Sequence, residues 1–181
     1  MKNENIALLS CCAPCCVGVL KFFAEQNISS TVIFYNPNIF PTEEYIKRRD
    51  ENKKLCLDLK IPFIELNPDR DIWKQAVHGL ELLPERSQRC SICFYLRLKR
   101  TAVFAKQYGF TSFSSVLGVS RHKDIDQVNT EGYKVEKEVK IPYLDTNWRK
   151  NGLEIKRQQG IKEYCLYKQL YCGCPYSMQR K

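Results

Sequence analysis

Residues 6–16 constrain this fold more than any other stretch. Ile6-Ala7-Leu8-Leu9 is a short, continuous apolar run, the pattern of a strand buried on both faces. It runs directly into Ser10-Cys11-Cys12-Ala13-Pro14-Cys15-Cys16, where four of six consecutive positions are cysteine. Pro14 suits the first turn of a helix, where its missing N–H costs nothing, and Val17–Ala24 continues that helix. Cys11 and Cys12 then fall in the strand-to-helix turn and Cys15 in the first helical turn. Unpaired backbone N–H groups and the positive end of the helix dipole favour thiolates or an anionic group there. Cys16, one helical step further on, is expected in the core.

The rest of the chain repeats this alternation. Thr31–Tyr35 and Pro62–Leu66 read as strands two and three, β-branched or aromatic. Asn36–Pro41 is a loop of turn formers. Thr42 is expected to cap a helix with Glu43 and Glu44 in its first turn, reaching about Leu59. Asp71–Val77 reads as a short helix, 79–90 as loop, Ser91–Tyr108 as a strong helix ended by Gly109, and Ser112–Val119 as strand four. Residues 121–132 are mixed with some helical character, Glu138–Tyr143 is a candidate fifth strand, and Asn147–Gln159 a basic helix stopped by Gly160. Residues 161–181 read as an irregular or briefly helical tail bearing Cys165, Cys172 and Cys174. Strands alternating with helices predict an α/β fold of three layers, a parallel sheet covered on both faces. The length of 181 residues fits a single domain. In such sheets ligands bind beyond the carboxyl ends of the strands, which is where the first cysteines lie.

Ten cysteines need a reason. The N-terminus lacks a signal-peptide pattern and no apolar run approaches the ~20 residues that span a bilayer, so a cytoplasmic protein without a membrane partner is expected. Thiols there stay reduced, and clusters of them point to metal or redox chemistry. With only two histidines, His78 and His122, thiolates must dominate any metal centre. The net charge of +9 is uneven: residues 86–123 carry 8 basic and no acidic side chains, residues 1–85 carry 10 and 12. A phosphate-rich partner fits this distribution, with ordinary solubility charge as the plain alternative.

Cys11, Cys12, Cys15 and Cys16 with Cys90-x-x-Cys93 supply more thiolates than a cluster needs, which points to an iron–sulfur redox site. A closed, cysteine-only zinc site uses the same residues, and Cys90-x-x-Cys93 alone also reads as a dithiol. Cys56, between Leu55 and Leu57, reads as core. Cys172-Gly-Cys174 is either a strained disulfide ring suited to a redox relay or an incidental tail pair. Asn36-Pro-Asn38 and Pro41-x-x-Glu-Tyr45 read as a loop shaping a pocket. Asp145-x-x-Trp148-Arg149-Lys150 offers an aromatic for stacking a base and two cations for phosphate, or simply the solvated start of a basic helix. His122, flanked by Arg121 and Lys123, is a surface histidine or a proton donor. Neither a Walker loop nor a Ser-Gly-Gly-x-Asp-Ser-type pyrophosphate loop is present.

Taken together, Cys11-Cys12-Ala-Pro14, Tyr35-Asn-Pro-Asn-Ile39, Pro41-x-x-Glu-Tyr45, Arg89-Cys-x-x-Cys-Phe94, Thr101-Ala102, Asp145-x-x-Trp-Arg-Lys150 and Tyr171-Cys-Gly-Cys174 resemble the epoxyqueuosine reductases of the QueH type, from residue 6 to about 177. The resemblance implies a fold related to adenine nucleotide α-hydrolases and PP-loop enzymes. It implies a 4Fe–4S cluster held by Cys11, Cys12, Cys90 and Cys93, and a redox-active disulfide between Cys172 and Cys174. It further implies reduction of epoxyqueuosine to queuosine at the wobble position of tRNA, the last step of queuosine biosynthesis, without cobalamin. The partners implied are the tRNA anticodon stem-loop, met through Asn36, Asn38, Tyr45, Trp148, Arg149 and Lys150, and an electron donor; DNA and membrane are not among them. The resemblance further implies that an iron ion can be held beside the cluster. Some members carry an acidic residue where this chain has Cys15, and a thiolate alters the geometry and affinity of such a second metal. Two competing functions are a zinc-bound RNA-binding module, which leaves Cys172 and Cys174 idle, and a PP-loop-related tRNA thiolation enzyme, which needs the pyrophosphate loop missing here.

Overall fold

The computed structural model describes residues 4–145 and 147–178. Four parallel strands form its centre: β1 (Asn5–Ser10), β2 (Ser29–Phe34), β3 (Phe63–Glu65) and β4 (Ser112–Ser115), in spatial order β3-β2-β1-β4. β1 and β2 are buried along almost their whole length, as their apolar runs predict. From β1 the chain passes through α1 (Ala13–Glu25) to β2, and through α2 (Thr42–Asp58) to β3. It then reverses through α3 (Arg70–Ala76) and α4 (Gln88–Gln107) to reach β4 on the far side of β1. Right-handed crossovers in opposite directions place α1 and α2 on one face of the sheet and α4 on the other. α5 (Ile125–Val139) packs on α4, and α6 (Leu153–Glu163) packs on α1, completing three layers. A one-turn helix, α7 (Pro175–Met178), follows the last cysteines. The strand order reverses between β1 and β4, so the crevice for a ligand opens at their carboxyl ends, beside Cys11 and Cys12.

Four local expectations change. Thr42 does not cap α2 but is its first residue: Pro41 is the N-cap, and no side chain caps that end. The candidate fifth strand at Glu138–Tyr143 is not one: α5 runs to Val139 and ends at Lys140 in the left-handed region, leaving a single bridge from Tyr143 to Phe113. The buried residues Val128, Gly132, Val135 and Val139 recur at helical spacing, and the apparent Val139–Ile141 alternation is a helix end stepping into a loop. Strand four is shorter than Ser112–Val119, because Leu117–Val119 tightens into a 3-10 turn. The basic helix begins at Leu153, not Asn147, and continues through Gly160 instead of stopping there.

Gly160 has a packing role. A Cβ at this position would lie 2.4 Å from Val17 Cγ2, and one at Gly18 would lie 3.0 Å from Arg157 Cβ. Two glycines on facing helices therefore let α1 and α6 approach closely, which carries Arg157 toward the cysteine turn. Gly160→Ala is expected to destabilise the protein by about 1–3 kcal/mol. In anaerobic urea unfolding, part of that loss should be recovered when Val17→Ala is present as well, since the two side chains compete for one space.

Candidate metal and substrate site

The cysteine turn takes the expected position. Cys12 is the N-cap of α1 in extended geometry, Pro14 lies in the first turn, and the Cys15 amide donates to the Cys12 carbonyl at 3.2 Å. The Sγ atoms of Cys11, Cys12 and Cys15 all lie within 4.8 Å of one another, those of Cys11 and Cys12 being 3.8 Å apart. All three are buried. Interaction with the Cys12 and Cys15 thiols, helped by Lys123 and Arg97, holds the Cys11 thiol well below its ordinary range against the cost of burial. Hydrogen bonding to Cys11, with burial and the Cys11 charge adding to it, pushes Cys15 up to about 12 and raises Cys12 as well. Gln169 Nε2 donates to Cys12 Sγ at 2.8 Å. Cys16 and Cys56 are buried in the main core, and burial raises both thiols.

Cys90 and Cys93 lie in the first two turns of α4 and line a chamber that also reaches Cys172, Cys174, Trp73 and Lys123. They are not part of the tight group of three around Cys11. Burial raises both thiols, and for Cys93 Arg97 and the Trp73 side chain oppose it. Arg97, wholly buried, also donates to the Tyr35 carbonyl at 3.4 Å and to Asn36 Oδ1. It therefore links the Cys93 side to the Cys11 side. Lys123 is the second link: burial works against its charge, and Cys11, Cys15 and Cys172 outweigh that cost.

The tail is docked rather than loose. Arg48, 1% exposed, donates to the carbonyls of Cys172 at 3.1 Å and Tyr171 at 3.0 Å, and pairs with Glu44 at 2.6 Å. The Phe40 amide donates to the Gly173 carbonyl at 2.9 Å. Gly173 has φ of +102°, and a Cβ there would come within 2.8 Å of Ile39, so the residue between the two cysteines must be glycine. Cys172 and Cys174 stand as neighbouring thiols, with the Cys174 amide donating to Cys172 Sγ at 3.4 Å. Interaction with the Cys174 thiol, then Lys123 and Ser177, holds Cys172 well below the ordinary thiol range, and Cys174 is raised in return.

An outer vestibule leads into the chamber past Glu85, His122, Lys123 and Cys172, and its rim carries Tyr167 and Tyr171. The 120–123 loop between the two is clamped. Arg86 donates to the carbonyls of Arg121 and His122, and Arg149 to those of Gly118, Ser120 and Lys123.

Of the residues expected to meet substrate, Asn38 lines the chamber. The others do different work. Asn36 Nδ2 donates to the Ser10 carbonyl at 2.9 Å, bracing the end of β1. Tyr45 is buried against Phe34 and bonds Glu65 at 2.7 Å. Trp148 is not available to stack a base: it is buried edge-on to Phe23, with Nε1 donating to the Ser115 carbonyl at 3.0 Å. Arg149 spends its guanidinium on backbone carbonyls, and Lys150 is exposed. Trp73, Arg97, Lys123, Gln127 and Gln169 are site residues that sequence reading missed. Only the surplus of cations in 86–123 hinted at two of them.

Sequence comparison matches residues 6–180 to the family model described as epoxyqueuosine reductase QueH. The chain is 40% identical over 178 residues to the epoxyqueuosine reductase QueH of Haemophilus influenzae, covering 98% of this chain and 73% of that protein. It is 40% identical over 177 residues to that of Acinetobacter baylyi, covering 97% and 81%, and 32% identical over 171 residues to that of Thermotoga maritima, covering 93% and 87%. Among solved structures, a predicted subunit of tRNA methyltransferase from Methanocaldococcus jannaschii superposes with a TM-score of 0.61 at 12% identity, over 87% of this chain and 74% of that one. The U34-tRNA thiolase NcsA from Methanococcus maripaludis, solved with its 4Fe–4S cluster, also gives 0.61, at 15% identity over 98% and 62%. At these identities the two structures establish the fold alone, a three-layer α/β arrangement around a parallel sheet, as expected.

In the metal-free, reduced protein, iodoacetamide should alkylate Cys172 at pH values where a small thiol of pKa about 8.5 has nearly stopped reacting, because the thiolate is the nucleophile. Lys123→Gln removes a cation that favours that thiolate, so the midpoint of the pH–rate curve should move upward. Peptide mass spectrometry across pH reads both.

Proposed function

The chain belongs to the epoxyqueuosine reductase QueH family, and from that premise we propose that it reduces epoxyqueuosine to queuosine in tRNA at the chamber beyond β1 and β4. One observation carries the placement. Three buried thiols gather at the N-terminus of α1, and Arg97 and Lys123, the two cations that act on Cys11, also line a chamber bearing Cys90, Cys93, Cys172 and Cys174.

The donor set suits an iron–sulfur cluster. It is all thiol, it is buried, and Arg48, Arg97, Lys123 and Arg157 supply positive charge that thiolates and an anionic cluster require. Cys11, Cys12, Cys90 and Cys93 are the proposed ligands of a 4Fe–4S cluster, and Cys15, nearest to the first two, the ligand for an adjacent iron ion. When bound, these metals supply electrons singly and a Lewis acid for oxygen.

The balance of the reaction assigns the remaining parts. Converting the epoxide to an alkene breaks both C–O bonds, forms one C=C bond, and releases the oxygen as water; this consumes two electrons and two protons. Oxidation of the Cys172 and Cys174 thiols to a disulfide yields the same two electrons and two protons, and an external electron donor then restores the dithiol. Lys123 Nζ holds a proton on the chamber wall, kept there by the surrounding thiolates. Tyr167 and Tyr171 on the vestibule rim offer faces for an unstacked base. Arg121, Arg157 and Lys168, which line the cleft on the outer side of the 120–123 loop, face the RNA backbone. The wobble position of the anticodon stem-loop is the site of action. Among the described residues no helix is long and apolar enough to cross a membrane.

Anaerobically purified protein should be brown, with several irons per chain and broad absorption near ~400 nm. Cys12→Ser and Cys93→Ser should lose most of that absorption, and Cys165→Ser should keep it. A colourless wild-type protein with stoichiometric zinc would sink the cluster. Turnover of epoxyqueuosine-tRNA with a reductant should require both Cys172 and Cys174, and tRNA affinity should fall steeply as salt rises.

A further inference from the structure

Among the described residues, eight buried side-chain polar atoms lack a hydrogen-bond partner, and four of them belong to residues lining the one chamber: Asn38 Oδ1, Trp73 Nε1, Arg89 Nε and Gln127 Oε1. Such atoms are rare because each costs about 1–3 kcal/mol when left unmade. Four at one place, in a chamber that is otherwise largely apolar, form a template for a ligand.

Three of the four are oriented by contacts with neighbouring side chains and backbone. Gln127 Nε2 donates to Ser91 Oγ at 2.8 Å and to the Ser87 carbonyl at 3.0 Å, which fixes the amide and leaves Oε1 as the free acceptor. Arg89, 2% exposed, gives its Nη1 to the Glu81 carbonyl at 2.6 Å, and its guanidinium lies over the Tyr176 ring. Trp73, 1% exposed, is held between Phe40 and Tyr176, stacked on the latter at 17°. Its N–H leans toward Cys93 without a formed hydrogen bond. Asn38 is 3% exposed, on the loop that docks Gly173.

The chamber thus presents two acceptors and two donors. A hydroxyl is the group that both donates and accepts. An epoxide oxygen only accepts, and an ammonium only donates. We propose that this chamber recognises the two hydroxyls of the substrate's cyclopentane ring, with Asn38 and Gln127 accepting and Trp73 and Arg89 donating. This rests on the reductase reading and adds the residues that set its specificity. Binding both hydroxyls fixes the ring in the chamber, so that its epoxide carbons are presented to the cysteine walls in one orientation. A site built this way rejects a ligand without the hydroxyls, because its own buried groups then stay unpaired.

The test uses the cluster-loaded protein under anaerobic conditions and two anticodon stem-loop RNAs. One carries queuosine, which has the ring and its hydroxyls and is not turned over; the other carries 7-aminomethyl-7-deazaguanine, which lacks the ring. The wild-type protein should bind the first at least ~10-fold more tightly, since buried polar groups are at stake. Trp73→Phe and Asn38→Leu should each cut that preference by about tenfold while leaving the Kd for the ring-less RNA unchanged. Unchanged binding of that RNA also shows that the variants are folded. Asn38→Asp keeps the acceptor and should keep the preference. Equal binding of the two RNAs by the wild-type protein, or a preference that survives both Trp73→Phe and Asn38→Leu, overturns the proposal. Wild-type turnover of epoxyqueuosine-tRNA, measured in parallel, separates that failure from failure of the reductase reading.

Discussion

Several thiols are buried together at the positive end of one helix, and that electrostatic condition organises the molecule. Burying negative charge is expensive unless cations share the site. Here the N-terminus of α1 supplies part of the compensation. The rest comes from Arg48 on α2, Arg97 on α4, Lys123 on the loop before α5, and Arg157 on α6. Each cation arrives from a different element, so the charge balance of one turn depends on most of the fold being in place.

Those cations also do structural work. Arg48 fastens the tail through the carbonyls of Tyr171 and Cys172, which brings Cys172 and Cys174 to the chamber. Arg97 ties the end of β2 to α4. Arg149 and Arg86 grip the loop that carries Lys123 from both sides. Arg157 reaches the cysteine turn only because Gly18 and Gly160 let two helices meet closely. Charge compensation and packing are therefore met by the same side chains, and the chamber between Cys93 and Cys172 is what their arrangement leaves open.

Much of this was legible from residue order. The apolar run at 6–9, Pro14 and the cysteines between them located the first strand, the turn and the helix, and strand–helix alternation gave the parallel sheet. Cys16 and Cys56 read correctly as core from helical position alone. Errors came where local pattern and tertiary packing disagree. Gly160 looks like a helix stop, yet the helix continues because Val17 occupies the space of the missing Cβ. Val139–Ile141 alternates like a strand, yet it closes a helix. Trp148 and Arg149 look like a nucleic-acid motif, yet the ring packs under α1 and the guanidinium binds carbonyls of the 118–123 segment.

Cysteine chemistry, the fold class and the family are written in local pattern, because spacing, turn residues and soft ligands leave a signature readable along the chain. The chamber is not. Asn38, Trp73, Arg89 and Gln127 lie on four separate segments; Asn38 and Arg89 fall within recognisable motifs, but Trp73 and Gln127 have no distinctive neighbour in sequence. Their unpaired atoms acquire meaning only when folding removes water from all four and points them into one space. The same holds for Cys11: its proximity to Cys12 is a fact of sequence, but its readiness to carry charge follows first from hydrogen bonding with Cys12 and Cys15 in the folded turn, and then from Lys123 and Arg97, which folding brings from far along the chain.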